Sequence, residues 1–222
     1  SLEDVIEKVR YGSWLIKAPW SSSGKGLLRL EEGMSAKSGE WINGVLKKQG
    51  YVMLEKYLDK VEDFAMEFKA TEQGVHFIGW SCFSTGKHGE YYGNFIGNQQ
   101  NIERHLNSLL GSDVLEQLQL YLPMVLHKIF PVYRGYLGVD MMVYRDEGGE
   151  LKVQPCVEIN LRYNMGIVAL CLSSKYLDIC AKGEFTITFY SRYGEALEEH
   201  RRLCQEQPAV YKNNRIKSGY IA

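Results

Sequence analysis

The 222-residue chain is 45% hydrophobic and 24% charged, and its 26 basic and 27 acidic residues leave a net charge of −1. Such composition belongs to globular proteins and excludes disordered and collagen-like chains. No basic block is present to neutralise phosphates, which argues against duplex nucleic acid as a partner.

No apolar run approaches the roughly 18 residues a membrane-spanning helix needs, and no membrane partner is expected. The charged opening SLEDVIEKVR does not read as a signal peptide. The first residue is Ser rather than Met, so a piece of a longer protein is expected. The five cysteines form no C-x-x-C pair, which excludes a zinc ribbon or thioredoxin-type site. Most have apolar neighbours and are expected to act as small hydrophobes in a reducing, cytoplasmic compartment.

Leu2, Val5, Ile6 and Val9 repeat at helical spacing, predicting a helix over 2–10 that Gly12 ends. Residues 13–18, SWLIKA, read as a short buried strand with Lys17 near its end. Residues 19–26, PWSSSGKG, read as a turn-rich loop, and 27–30 as strand. A helix over 38–48 stops at Gly50, and 51–58, YVMLEKYL, reads as a strand. DFAMEFKAT and VHFIGWSCF are β, joined as a hairpin at Glu72-Gln73-Gly74. Residues 85–98, rich in glycine and aromatics, read as a long loop. Helices are predicted over 101–110 and 113–130. The second is expected to be capped at Ser112-Asp113, with Glu116 completing a capping box, and kinked at Pro123.

The runs GVDMMV and PCVEIN then flank a turn at Asp146–Glu150 and form a hairpin. Residues 165–175 read as helical, 185–190 as strand and 193–206 as an amphipathic helix, while 207–222 shows no period. Strands and helices come in clusters rather than in regular alternation, so the fold class is α+β.

Four features carry chemistry. Lys17 lies at a strand end, four residues before the small-residue loop Ser21, Ser22, Ser23, Gly24, Lys25, Gly26. Backbone N–H groups of such a loop can point at an anion, although the spacing is not that of a P-loop. A lysine in a buried strand calls for an anion, either a ligand phosphate or a structural carboxylate. The second feature is Glu55-Lys56-Tyr57-Leu58, followed by Glu62. In the third, folding the late hairpin at Gly148-Gly149 sets Asp140 across from Glu158, with Asn160 on the face of Glu158. Two carboxylates and an amide oxygen suit Mg²⁺; the alternative is the surface face of an edge hairpin. The fourth, Arg162, continues that face with a guanidinium able to fork onto a carboxylate or phosphate, or to pair with Asp140 or Glu158.

In this order the features resemble the ATP-grasp superfamily. The most specific pieces are E-x-N-x-R at 158–162 after an aspartate-bearing strand, and E-K-Y-L at 55–58. The likeness runs from about residue 13 to 166, and its flavour is that of the carboxylate–amine ligases, including D-alanine–D-alanine ligase and biotin carboxylase. The resemblance implies two α+β lobes with a nucleotide cleft between them: a small lobe over 1–57, partial at its N-terminus, and a large lobe over 58–222 carrying a metal-binding hairpin at 136–162. It implies ATP with one or two Mg²⁺ ions, or Mn²⁺ instead.

Lys17 would contact ATP phosphates and the loop Ser21–Gly26 would close over them. Glu55 and Lys56 would meet the adenine edge, with backbone at 56–58 bonding the base, and Glu62 would take the ribose. Asp140 and Glu158 would hold one magnesium, and Glu158 with Asn160 a second. Arg162 would hold the acceptor carboxylate or the transferred phosphoryl group. The implied reaction joins a small-molecule carboxylate to an amine through an acylphosphate. The alternatives are an ATP-binding module without turnover and kinase-like phosphoryl transfer. A homodimer stays open. Two departures stand out. The family usually carries a second phosphate-contacting lysine some tens of residues before the loop, whereas this sequence starts 16 residues before Lys17, and Gly138 stands where the D-alanine ligases place an arginine.

Overall fold

The computed structural model describes residues 1–21, 26–31, 33–86 and 89–222. The chain forms two compact units, 1–59 with 85–91 and 60–84 with 92–222.

In the first unit, α1 (Leu2–Lys8) begins at a reciprocal capping box between Ser1 and Asp4. β1 (Trp14–Lys17) is the central strand of an antiparallel sheet, flanked by β2 (Leu27–Leu30) and β3 (Met53–Lys56). Between β2 and β3 runs α2 (Ala36–Gln49), capped by the Ser35 hydroxyl and stopped at Gly50, whose φ of +86° disfavours a side chain. Alternation along the strands sends Ile16, Leu28, Leu30 and Leu54 into a core with Val5, Val9 and Ile42. Leu15, Lys17, Arg29 and Glu55 occupy the opposite face.

The second unit is built on a six-stranded sheet. Its strands are β4 (Asp59–Thr71), β5 (Gly74–Thr85), β6 (Tyr91–Ile96), β7 (Gly135–Arg145), β8 (Leu151–Asn160) and β9 (Gly183–Thr186), in the order β8-β7-β4-β5-β6-β9. Phe64, Met66 and Phe68 of β4, Trp80 of β5, and Leu137, Val139, Met141 and Val143 of β7 line one face. They pack with Ile102 and Leu106 of α3 (Gln99–Leu110) and with Leu115 and Leu126 of α4 (Ser112–Ile129). The residues between them on β4 and β7, among them Glu67, Gly138 and Asp140, face the other way, where α5 (Met165–Tyr176) begins. After β9 come α6 (Glu195–Glu206) and the hairpin of β10 (Val210–Lys212) and β11 (Arg215–Ser218). Among the described residues, no helix is long and apolar enough to cross a membrane.

Several expectations are corrected. The 85–98 segment is not all loop: β6 joins β5 and also pairs with β9, which approaches so closely that a Cβ on Gly93 would lie 2.4 Å from the Phe185 carbonyl oxygen. Glycine is therefore a packing requirement there, although it reads as loop composition. β9 runs from Gly183 to Thr186 rather than over 185–190, although the Ile187 N–H still donates to the Tyr92 carbonyl at 3.2 Å. α4 is capped at Gly111, not at Ser112-Asp113, and no side chain caps it. α3 ends on the same Gly111, at φ +84°, so Ser112 is drawn inside the following helix. Pro123 lies inside α4, which continues on both sides.

The unpatterned 207–222 contains a hairpin turning at Asn213 and Asn214, both at positive φ (50° and 59°), as a two-residue turn requires. Of the cysteines only Cys82 is buried; Cys156, Cys180 and Cys204 are exposed. Their apolar sequence neighbours did not predict burial, since Cys156 lies on the edge strand β8.

Candidate functional site

In the first unit, the strand register decides what Lys17 meets. Leu15 is opposite Glu55 and Lys17 opposite Met53, so Lys17 and Glu55 are diagonal neighbours on the face away from the core. The Lys17 ammonium lies 2.7 Å from the Glu55 carboxylate, with the lysine side chain only 12% exposed. Of the two anions that sequence left open for Lys17, a structural carboxylate is present, and it comes from the Glu55-Lys56 pair.

Lys56 lies over the Trp14 ring, its ammonium 5.6 Å from the centroid, and Arg29 stacks on Tyr57 at 3.7 Å. The Tyr57 N–H donates to the Ser13 carbonyl at 2.9 Å and so faces β1. In an antiparallel ladder the neighbouring residue turns the other way, which directs the backbone groups of Lys56 to the outer edge of β3.

The base of the small-residue loop is tied down. Ala18 N–H donates to the Gly26 carbonyl at 2.8 Å, and the Gln49 side chain brackets Trp20, accepting from its N–H at 2.8 Å and donating to its carbonyl at 3.2 Å. Ser21 and Gly26 flank the loop; Ser22, Ser23, Gly24 and Lys25 lie outside the described residues.

In the second unit, β7 and β8 pair with Asp140 directly opposite Glu158 and Gly138 opposite Asn160. Asp140, Glu158 and Asn160 therefore share one face. The Asn160 amide donates to Asp140 Oδ2 at 3.0 Å, and Arg162 donates to Asn160 Oδ1 at 2.8 Å. Glu158 and Arg162 are exposed, while Asn160 is buried. Glu158 faces solvent, whereas Asp140 is half-buried. Burial, with the charges of Glu158 and Glu67 adding to it, pushes the Asp140 carboxyl up to about 7 against the pull of Asn160. A register shift of β8 against β7 between Asp140 and Met142 marks a bulge at 155–157, and Pro155 lies within it. Glu62 is elsewhere: its carboxylate accepts His105 Nε2 of α3 at 2.8 Å.

A carboxylate overlooked in the sequence lies beside this group. Glu67 is 1% exposed, and it accepts the Ser81 hydroxyl at 2.9 Å and the Asn164 amide at 2.8 Å. Burial raises its carboxyl to about 7, against the pull of these two bonds. Asn164 also caps α5, its Oδ1 accepting Ile167 N–H at 2.9 Å. Two glycines make the space. A Cβ on Gly138 would lie 2.1 Å from Asn164 Nδ2, and one on Gly166 would lie 1.8 Å from Glu67 Oε1. Gly138 stands where the resemblance to D-alanine ligases called for an arginine; the space a side chain would need there is occupied by Asn164 and Glu67. The signal for Glu67 was an acid inside the apolar run FAMEF.

The donor set of the ribbon, two carboxylates and an amide, has the hard oxygen chemistry that magnesium takes. A cation beside Asp140 would also relieve the repulsion that raises its carboxyl. Among the described residues, no three His, Cys, Asp or Glu side chains gather closely enough to hold a metal by themselves.

The chain matches no protein-family model and no characterised protein sequence. Solved structures do match it. The biotin carboxylase domain of a 2-oxoglutarate carboxylase from Hydrogenobacter thermophilus, in complex with MgADP, ADP and bicarbonate, matches with a TM-score of 0.54 at 16% identity, over 77% of this chain and 35% of that one. An N5-carboxyaminoimidazole synthetase from Staphylococcus aureus complexed with ADP matches with a TM-score of 0.51 at 14% identity, over 98% and 58%. The ADP complex of an N5-carboxyaminoimidazole ribonucleotide synthetase reaches 0.55 at 14% identity, over 98% and 58%. The chain thus has the ATP-grasp fold. It spans between 35% and 58% of the chains it matches here.

Proposed function

We propose that the chain is the ATP-grasp region of an ATP- and magnesium-dependent ligase that joins a carboxylate to an amine or similar nucleophile. The observation that carries this reading is the ribbon register: Asp140 opposite Glu158, with Asn160 and Arg162 following on the same face. The ligands of the matching structures, ADP and MgADP, support it.

Asp140, Glu158 and Asn160 would hold magnesium, which when bound offsets charge on the nucleotide phosphates. Lys17 would exchange Glu55 for a phosphate oxygen. The outer-edge backbone of Lys56, with that of the residues through Leu58, would bond the base, and Glu62 would bond the ribose. In the reaction, a substrate carboxylate oxygen attacks the γ-phosphorus and the bond to ADP breaks, giving an acylphosphate. The amine nitrogen then attacks the acyl carbon, phosphate leaves, and the nitrogen loses a proton. Such chemistry asks mainly for positioning and charge neutralisation. Arg162 would steady the transferred phosphoryl group or the acceptor carboxylate.

Calorimetric titration of ADP with and without Mg²⁺ tests the site. Wild type is expected to bind ADP more tightly with Mg²⁺, and Glu158→Gln to lose that gain with an unchanged ligand-free melting temperature. Equal gain in the variant would refute the metal assignment. ADP release by the full-length protein, over a panel of carboxylates with and without amines, separates ligation from phosphoryl transfer and from binding without turnover.

A further inference from the structure

We infer that Glu67 is a positioning residue: by holding Asn164 it fixes the segment 160–164 and thereby aims Asn160 and Arg162. The inference rests on the proposed function and deepens it.

Asn164 is pinned at three atoms. Its Nδ2 donates to Glu67, its Oδ1 accepts Ile167 N–H, and its carbonyl accepts Val168 N–H at 3.3 Å. At the other end Asn160 is held in the ladder opposite Gly138, and its carbonyl accepts Arg162 N–H at 2.9 Å. Only three residues separate these anchors, so where Asn164 is held decides where Arg162 can reach. Glu67 comes from β4, 97 residues away in sequence, and Ser81 of β5 steadies its second oxygen. The bond thus ties the end of the ribbon to the two strands deepest in the sheet.

Stability alone gives little reason for this arrangement. A buried carboxylate is costly, and an apolar residue would suit a strand whose neighbours are Met66 and Phe68. The structure also gives up side chains at Gly138 and Gly166 to admit it. A polar node that rigidifies the support of binding residues accounts for all three positions.

The test is ADP calorimetry on the full chain with and without Mg²⁺. Glu67→Met removes both acceptors, and Asn164→Ser keeps a capping oxygen for α5 while dropping the bond to Glu67. Each is expected to cut the Mg²⁺-dependent gain in ADP affinity about tenfold or more, with Mg²⁺-free affinity unchanged. Glu67→Gln, which can accept from Asn164 and donate to Ser81, is expected to stay near wild type. Should Glu67→Met fail to fold, Asn164→Ser reads the same bond. A wild-type Mg²⁺ gain in Asn164→Ser or Glu67→Met, with only a lowered melting temperature, overturns the inference. So does a loss in Glu67→Gln equal to that in Glu67→Met. A wild-type chain with no Mg²⁺ gain overturns the proposed function and this inference with it.

Discussion

Replacing Glu67 by Gln makes the cost of the buried carboxylate measurable. Its carboxyl is raised from 4.5 to about 7. At 1.36 kcal/mol per pKa unit, that difference amounts to about 3 kcal/mol. The sign follows from proton linkage. Below about pH 4.5 both folded and unfolded chains hold the proton, and the stability is whole. Between pH 4.5 and 7 the unfolded chain ionises first, and stability is lost; above about pH 7 the loss is complete. Glutamine does not ionise and fits the same two hydrogen bonds. Glu67→Gln is therefore expected to match wild type near pH 4.5 and to exceed it by about 3 kcal/mol near pH 8.5. For a chain of this size that corresponds to a melting temperature roughly 6–12 °C higher. The Glu67 charge also raises the Asp140 carboxyl, so removing it works in the same direction. Scanning calorimetry of both proteins at the two pH values is the assay. A stability gap that is equal at both, or a variant less stable at pH 8.5, would refute the assignment of a destabilising buried charge.

Gly138→Ala puts a methyl against Asn164 and Glu67, at distances of 2.1 and 2.5 Å. It is expected to cost at least about 3 kcal/mol, read by denaturant unfolding; a cost under 1 kcal/mol would mean that the pocket yields. Lys17→Met breaks the pair with the part-exposed Glu55 and is expected to cost about 1 kcal/mol, while ADP affinity falls severalfold under the proposed function. Unchanged affinity would remove Lys17 from the nucleotide's contacts. Asn214→Val forces a β-branched residue to a φ of +59° and is expected to cost about 1–2 kcal/mol, whereas Asn214→Gly is expected to be near neutral by melting temperature.

The late hairpin was legible because two apolar runs bracket Gly148-Gly149 with few alternatives, and its even spacing fixed which side chains share a face. Lys17 was legible as a lysine in need of an anion, but its partner was not, because a diagonal contact depends on the register between β1 and β3. Glu67 escaped for a related reason. In FAMEFKA the alternation puts Ala65, Glu67 and Lys69 on one face, which reads as solvent-facing; the cover comes from Asn164 and α5, 97 residues on. The Gly111 junction was misread because a local capping pattern at Ser112 competes with a helix-to-helix turn that has no side-chain signature. The terminal hairpin was too short and too polar for any period to show, although paired asparagines were its signal.

Pro155 and its bulge bear on how the protein behaves in company. A bare outer strand invites a neighbouring chain to add itself to a sheet. β8 is such a border, yet the proline offers no N–H and the bulge breaks the even row of donors and acceptors. The opposite border, β9, is only four residues long. With both rims of the six-stranded sheet blunted, growth of that sheet by strand addition is discouraged.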